Sequence, residues 1–373
     1  GKDYLDFLGG IGCASLGHCH PAVVAAVRDQ AEKLWQVGNY FYIENRNEAA
    51  QAISGLLSTV TDESGHVEGS TGTTWRTFFG NSGAEANEGA IKVARRWGEV
   101  KLGGAAGIVS AHKSFHGRTL ATLAATGQDV FHKSFQPLPA GFASVDLNDI
   151  DALRDAVENP APSCGPVCAV MLECVQGEGG VWPATYDYLR AVSDLCHEKG
   201  ILLVIDEVQT GFFRCGAPFS FQRAGIEPDV VSMAKGIADG FPMGAVAARA
   251  EVADLMRPGD HGSTFGGNPV CCAGALSILH RLDGPLLQSV QEKSDFIVKA
   301  LTGAKGVRSV TGLGLMLGVE TERPVKDVIS ECMARGVLVI SAKNKVRLLP
   351  ALNIPMAQLE QAVSVLKDVC AGE

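Results

Sequence analysis

The chain has 373 residues, of which 46% are apolar, enough to fill the core of one large domain or two smaller ones. Its net charge of -9 arises from mixed charges with no basic block, which argues against a nucleic-acid groove or an anionic membrane surface and for small metabolites as partners. No run nears the roughly 18 apolar residues of a membrane span, no charged-then-apolar leader opens the chain, and the eleven cysteines are scattered through apolar segments as reduced thiols would be, so a cytoplasmic protein is expected.

In chain order, Gly1 leads almost at once into YLDFLGG, so a preceding segment is expected, and residues 1–47 carry too little helical periodicity to stand alone. They are expected to pack with the C-terminal part. GHCHP (17–21) reads as a turn ending in Pro21; no second ligand cluster with zinc-like spacing follows it, and no metal is expected. From 48 to 265, strand-like and helix-like runs alternate. TWRTFF (74–79) is followed by a Gly/Asn/Ser turn and the helical AEANEGAIKVARRW, then GIVSA (107–111) by a polar loop. VCAVMLECV (167–175) passes through QGEGG to the helix YDYLRAVSDLCHEK, which Gly200 caps before ILLVI; DVVSMA (229–234) ends at Lys235. The alternation predicts a parallel sheet covered by helices, with ligands collecting beyond the carboxyl ends of its strands. From 266 to 373 the texture changes: PVCCAGALSILHRL, SVTGLGLMLGVE, VKDVISECMARG, VLVIS, VRLLPAL and a final helix predict a smaller α+β domain.

Six segments or pairs carry chemistry. LLVIDEVQTG buries an acid, Asp206, at the end of an apolar run, where it is costly without a cationic partner. Lys235 closes another strand 29 positions on; a lone strand-end lysine is ordinarily solvated, but paired with Asp206 it suits a Schiff-base amine facing a ring whose nitrogen the carboxylate keeps protonated. The turn Asn81, Ser82, Gly83, Ala84, Glu85 opens a helix, where free amides and the helix dipole favour a phosphate, although by itself it reads more readily as an ordinary capped helix start; HGSTFGGNP offers Ser263 and Thr264 in a similar setting. SFHGRT supplies an aromatic and an arginine, while Glu178 and Arg347 carry opposite charges that could face the cleft or simply pair at the surface.

Taken together, YLDFLGGIGCASLGHCHP, FFGNSGAEANEGAIKVAR, SFHGRT, ECVQGEGGV, LLVIDEVQTGFFRCG, MAKGIADGFPMGA, HGSTFGGNP and VRLLPAL resemble the class III, fold-type I pyridoxal-phosphate aminotransferases, most closely the acetylornithine/ornithine branch. The resemblance covers nearly the whole chain. It implies a large, mostly parallel sheet covered by helices that binds the cofactor, a smaller α+β domain, and a homodimer with shared active sites. By the same resemblance Ser82, Gly83 and Ala84 bind the cofactor phosphate, with Thr264 and Ser263 reaching in from the partner subunit. Phe115 stacks on the ring, Val208 packs beneath it, Asp206 pairs with its nitrogen, Gln209 lies near its phenolic oxygen and Glu173 belongs to the same pocket. Lys235 carries the cofactor and shuttles the proton. Arg118 holds the remote carboxylate, Arg347 the α-carboxylate of glutamate or 2-oxoglutarate, and Glu178 masks Arg347 when an ω-amine binds. The implied reaction moves the δ-amino group of N-acetylornithine to 2-oxoglutarate; other ω-amines (ornithine, succinylornithine, 4-aminobutyrate) or an aminomutase reaction are the alternatives. Where the family usually has TGxGRTG, this chain has TGFFRCG, with Phe213 and Cys215 in place of a glycine and a threonine.

Overall fold

A computed structural model describes residues 1–373. Its centre is a seven-stranded sheet in the order Trp75–Gly80, Gly244–Arg249, Val230–Met233, Leu202–Asp206, Val167–Leu172, Gly107–Ala111, Phe142–Val145. Successive side chains of a strand point to opposite faces, and this sheet buries both. Leu203 and Ile205 join the core under the helix Tyr186–Lys199, while Leu202 and Val204 join Ala90, Ile91 and Ala94 of the helix Gly83–Lys101 on the other side. Gly200 ends the helix Tyr186–Lys199 at φ 65, a left-handed cap that glycine adopts without a Cβ clash.

The sheet departs from the expected parallel arrangement in one strand. Gly244–Arg249 runs antiparallel to both neighbours, whereas the other adjacent strands pair in parallel. A parallel return needs a crossover of a dozen or more residues. Between Met233 and Gly244 the only helical element is the single turn Lys235–Ile237, so the chain folds straight back.

A second, four-stranded sheet runs Val307–Leu313, Met316–Thr321, Lys345–Leu348, Ile340–Ala342, antiparallel throughout. The apolar run VLVIS is divided: Val337–Leu338 pairs in parallel with Leu5–Asp6, and only Ile340–Ala342 enters the second sheet. The first residues are fixed further by Leu349, whose amide donates to the Phe7 carbonyl at 2.7 Å. His20 caps the helix Pro21–Ala31 by accepting from the Ala22 amide at 3.3 Å, with Pro21 preset in the first turn. No single helix is long and apolar enough to cross a membrane.

TGFFRCG joins the two sheets. Arg214, fully buried, donates from Nη1 to the carbonyls of Leu315 (3.0 Å) and Pro350 (2.6 Å), and burial lowers its pKa to about 10. Phe212 and Phe213 precede it at φ 55 and 68. Left-handed backbone at a bulky residue costs roughly 1–3 kcal/mol and persists only where the surroundings fix it. Here both rings are buried, Phe212 lying edge-on to Phe219 at 5.3 Å, so Phe213 holds by packing a conformation that the family's usual glycine adopts freely.

Candidate active site

A cavity of about 380 Å³ opens beyond the carboxyl ends of the large sheet's strands, as the alternation of elements predicts. Its floor is Asp206, the last residue of its strand and 3% exposed. Three donors converge on this carboxylate: Asn87 Nδ2 (2.7 Å) and His116 Nδ1 (2.8 Å) on Oδ2, and the Val208 amide (3.0 Å) on Oδ1. A buried charge is tolerable only when it is satisfied in this way. Asn87 also donates to the His116 carbonyl at 2.7 Å, and the His116 amide to Thr126 Oγ1 at 2.9 Å, so the backbone that carries the imidazole is fixed, while the ring itself is held through Nδ1 alone. Burial disfavours the His116 cation, but the hydrogen bond and charge of Asp206 outweigh it and raise its pKa. Oδ1 of Asp206 keeps acceptor capacity towards the cavity.

Glu173 lies just past the strand Val167–Leu172 and lines the same cavity. It accepts the amides of Phe115 (2.9 Å) and Gly177 (3.3 Å); burial pushes its pKa up to about 7, with the His116 charge pulling the other way.

One wall is the start of the helix Gly83–Lys101. Ser82 caps it by accepting from the Glu85 amide at 3.2 Å, and no i−4 carbonyl exists for the amides of Gly83 and Ala84. Gly83 is required by packing: a Cβ there would stand 2.7 Å from Val208 Cγ1. Phe115 and Arg118 also line the cavity, on a loop packed against that helix start. The Arg118 guanidinium lies 4.0 Å from the Phe131 ring centroid and 5.3 Å from that of Phe115, so both rings attract its charge.

Lys235 follows the strand Val230–Met233 at φ 45 and also lines the cavity. Burial lowers its pKa, with the carboxylates of Glu178 and Asp206 opposing and Arg347 reinforcing the shift. An amine so placed is a better nucleophile and base near neutrality than a solvated lysine.

Arg347 and Glu178 meet beside the cavity. Arg347, 1% exposed, donates from Nη1 to Glu178 Oε1 at 2.6 Å and to Gln209 Oε1 at 2.9 Å, and Gln209 lines the cavity. Burial works against the Glu178 anion, yet Arg347 outweighs it and holds that carboxyl below its usual range. Arg347 Nε has no partner.

Ser263 and Thr264 are not part of the cavity of their own chain. Ser263 Oγ accepts from the Gly266 amide (3.0 Å) and Asn81 Nδ2 (3.3 Å), and the Thr264 side chain is exposed. Two contributors escaped the sequence reading, His116 and Asn87. SFHGRT held the first in plain view between Phe115 and Arg118; the second lies four residues after Gly83, one helical turn along the same face.

A buried carboxylate held by three donors with acceptor capacity to spare, facing the same cavity as a lysine of lowered basicity, suits amine chemistry on an electron-poor ring, and the chain belongs to the class-III aminotransferases: the family model described as Aminotransferase class-III matches residues 1–370. It is 45% identical to the acetylornithine aminotransferase of Haemophilus ducreyi over 99% of this chain and 90% of the relative. Among solved structures, the ornithine aminotransferase of Toxoplasma gondii ME49 matches with a TM-score of 0.90 at 30% identity, covering 100% of this chain and 87% of that one. The N-acetylornithine aminotransferase of Stenotrophomonas maltophilia K279a matches with a TM-score of 0.81 at 30% identity over 99% and 91%. The protein is thus an aminotransferase, which takes an amine donor and a keto-acid acceptor in turn.

Proposed function

We propose that this enzyme moves the δ-amino group of N-acetylornithine to 2-oxoglutarate, giving N-acetylglutamate semialdehyde and glutamate in arginine biosynthesis, with pyridoxal 5'-phosphate as cofactor. The residues present fit that cofactor. The open amides of Gly83 and Ala84 beside Ser82 suit its phosphate, and Gly83 lets Val208 close against the helix start with no side chain in the way. The remaining acceptor capacity of Asp206 suits a protonated ring nitrogen, Val208 and Phe115 offer the two faces of a slot, and Gln209, whose Oε1 is taken by Arg347, keeps Nε2 to donate to a phenolic oxygen. When bound, pyridoxal phosphate supplies an electrophilic aldehyde and a cationic ring that stabilises negative charge on the carbon losing its proton.

The chain's own residues do the rest. Asp206, held by Asn87 and His116, keeps the ring cationic without shifting position. Lys235 Nζ, whose basicity burial lowers, would move the proton between the donor's amine-bearing carbon and the cofactor's aldehyde carbon. Arg118, beside the Phe131 and Phe115 rings, receives the carboxylate remote from the reacting amine. Arg347 receives the α-carboxylate of 2-oxoglutarate once Glu178 gives it up; with an ω-amine bound, Glu178 stays.

The Arg347–Glu178 pair at 2.6 Å carries this reading, because exchanging an internal carboxylate for a substrate's lets one site accept two unlike partners at similar electrostatic cost. Identity to acetylornithine aminotransferases over almost the full length supports the acetylated donor. A panel of donors tested on the purified holoenzyme, read as the single-turnover change in the cofactor's near-visible absorbance, decides it. N-acetylornithine is expected to react with the highest ratio of rate to half-saturation; ornithine, succinylornithine or 4-aminobutyrate surpassing it would overturn the assignment.

The working unit is a homodimer with shared sites. Ser263 and Thr264 lie outside their own cavity, next to the exposed Trp35, Tyr40, Phe41 and Phe265, through hydrogen bonds from Gln36 to the Thr264 carbonyl and from Asn39 to the Ser263 carbonyl. Exposed aromatic rings of this kind fit a subunit contact. Light scattering at micromolar concentration is expected to give twice the chain mass. The eleven unpaired cysteines suit a reducing cytoplasm.

A further inference from the structure

Glu178 sits at the tip of a small hairpin, in which Val175 pairs with Pro183 and Gln176 with Trp182. The tip is packed without slack: a Cβ on Gly177 would stand 2.2 Å from Gln209 Oε1, and one on Gly179 2.6 Å from the Lys113 carbonyl oxygen. Val181, at the tip's trailing end, is fully buried at φ 54, a conformation a β-branched residue keeps only when its surroundings impose it.

Those surroundings centre on a buried cation that the proposed chemistry does not use. Lys345 is fully buried on the strand Lys345–Leu348, two residues before Arg347 and therefore on the same face of the second sheet. The carboxylate opposite it in the sheet, Glu320, accepts from Ser309 Oγ at 3.0 Å and makes no ion pair with it, although its charge opposes the fall in the Lys345 pKa that burial causes. Lys345 Nζ lies 3.4 Å from the centroid of the Trp182 ring and donates to Thr311 Oγ1 at 2.7 Å, and Thr311 in turn donates to the Val181 carbonyl at 2.8 Å. Gly318, registered opposite Arg347 and diagonal to Lys345, has no room for a side chain: a Cβ there would meet Val181 Cβ at 2.8 Å and Lys345 Cδ at 3.1 Å. One strand thus carries both the arginine that Glu178 covers and the lysine that grips the trailing arm of the hairpin bearing Glu178.

We propose that Lys345 is a positioning residue: through the Trp182 ring and through Thr311 to the Val181 carbonyl, it fixes the hairpin so that Glu178 rests on Arg347, and so sets the preference between an ω-amine donor and glutamate. The inference rests on the masking role of Glu178 given above. A desolvated cation held by a ring face and a hydroxyl is strong enough to order a short hairpin, yet it touches neither the cavity floor nor Lys235. Losing it therefore leaves the proton-moving groups as they are and loosens only the cover on Arg347.

The test compares the two half-reactions of the holoenzyme, N-acetylornithine and glutamate each driving single-turnover absorbance changes, in the native enzyme and in Lys345→Met, Trp182→Leu, Glu178→Ala and the Lys345→Met/Glu178→Ala double variant. Lys345→Met is expected to lower the amine-to-glutamate specificity ratio roughly five- to tenfold, chiefly through half-saturation for the amine, with the maximal rate of the glutamate half-reaction unchanged within about twofold. Trp182→Leu should shift the ratio the same way, and it carries the test alone if Lys345→Met does not yield folded holoenzyme. The double variant should be no worse than Glu178→Ala, since both changes act through one contact. An unchanged ratio in folded Lys345→Met or Trp182→Leu, or an equal loss in both half-reactions, would overturn the proposal, as would additive losses in the double variant. If Glu178→Ala itself leaves the ratio unchanged, the masking role fails first, and this inference with it.

Discussion

The two sides of the cavity are built on opposite plans. On the large sheet, Asp206 is held by three donors from three segments, and the donors are themselves held, so no single contact can be exchanged without stranding another buried group. On the second sheet, Arg347 offers Nη1 to both Glu178 and Gln209, and Glu178 is about a third exposed. A fixed floor suits a cofactor that must stay in one place through both half-reactions, whereas an exchangeable pair suits substrates that alternate. Preorganised charge acts at the reacting centre, and adaptability is confined to a wall.

The contrast can be broken most severely at the floor. Lys235→Ala should lower steady-state glutamate formation by roughly 10⁴-fold or more while near-UV circular dichroism stays native, because both the covalent and the proton-moving roles are lost. Asp206→Ala should cost about 10²–10³-fold in kcat and also destabilise the protein by roughly 1–3 kcal/mol in urea titrations, since His116 and Asn87 are left with unmet donors. The wall should answer differently. Arg347→Lys keeps the charge but not the fork, and should raise KM for 2-oxoglutarate about 10-fold or more with a smaller change in kcat.

A pH experiment sharpens the description of the floor. The Glu173 carboxyl, raised by burial from an ordinary value of 4.5 to about 7, stays protonated in the folded protein where the unfolded chain has lost its proton. The folded state then binds more protons, so this group's contribution falls as pH rises between those two values and is flat above them, by up to roughly 3 kcal/mol. Glu173→Gln should flatten that fall in denaturant titrations run from acid to neutral pH. The smallest effect belongs far from the cavity: Gly200→Ala, at φ 65, should lower stability by about 1 kcal/mol and leave both half-reactions untouched.

Much of the floor was legible in the sequence because its logic is local. GIVSA and YDYLRAVSDLCHEK coincide with their elements, and an acid ending an apolar strand, or a lysine just past one, follows from the alternation of elements. What was not legible depends on non-local geometry. The reversed strand Gly244–Arg249 follows from the absence of a crossover, and the division of VLVIS between two pairings follows from where Leu5–Asp6 lies. VCAVMLECV likewise breaks after Leu172, which turns Glu173 into the cavity. His116 and Asn87 matter only because folding brings them to Asp206 from positions 90 and 119 residues away in the chain. Lys345 reads as an ordinary strand residue until Trp182 is seen to cover it.

The link between floor and wall is Lys235, and the most direct measurement is chemical trapping there. Borohydride reduction of the holoenzyme followed by proteolysis and mass spectrometry should place a single reduced pyridoxyl phosphate group on the peptide carrying SMAKG, at Lys235, and preincubation with excess amine donor should abolish that labelling. A label on another lysine, or no covalent label on an enzyme that turns over, would contradict the account.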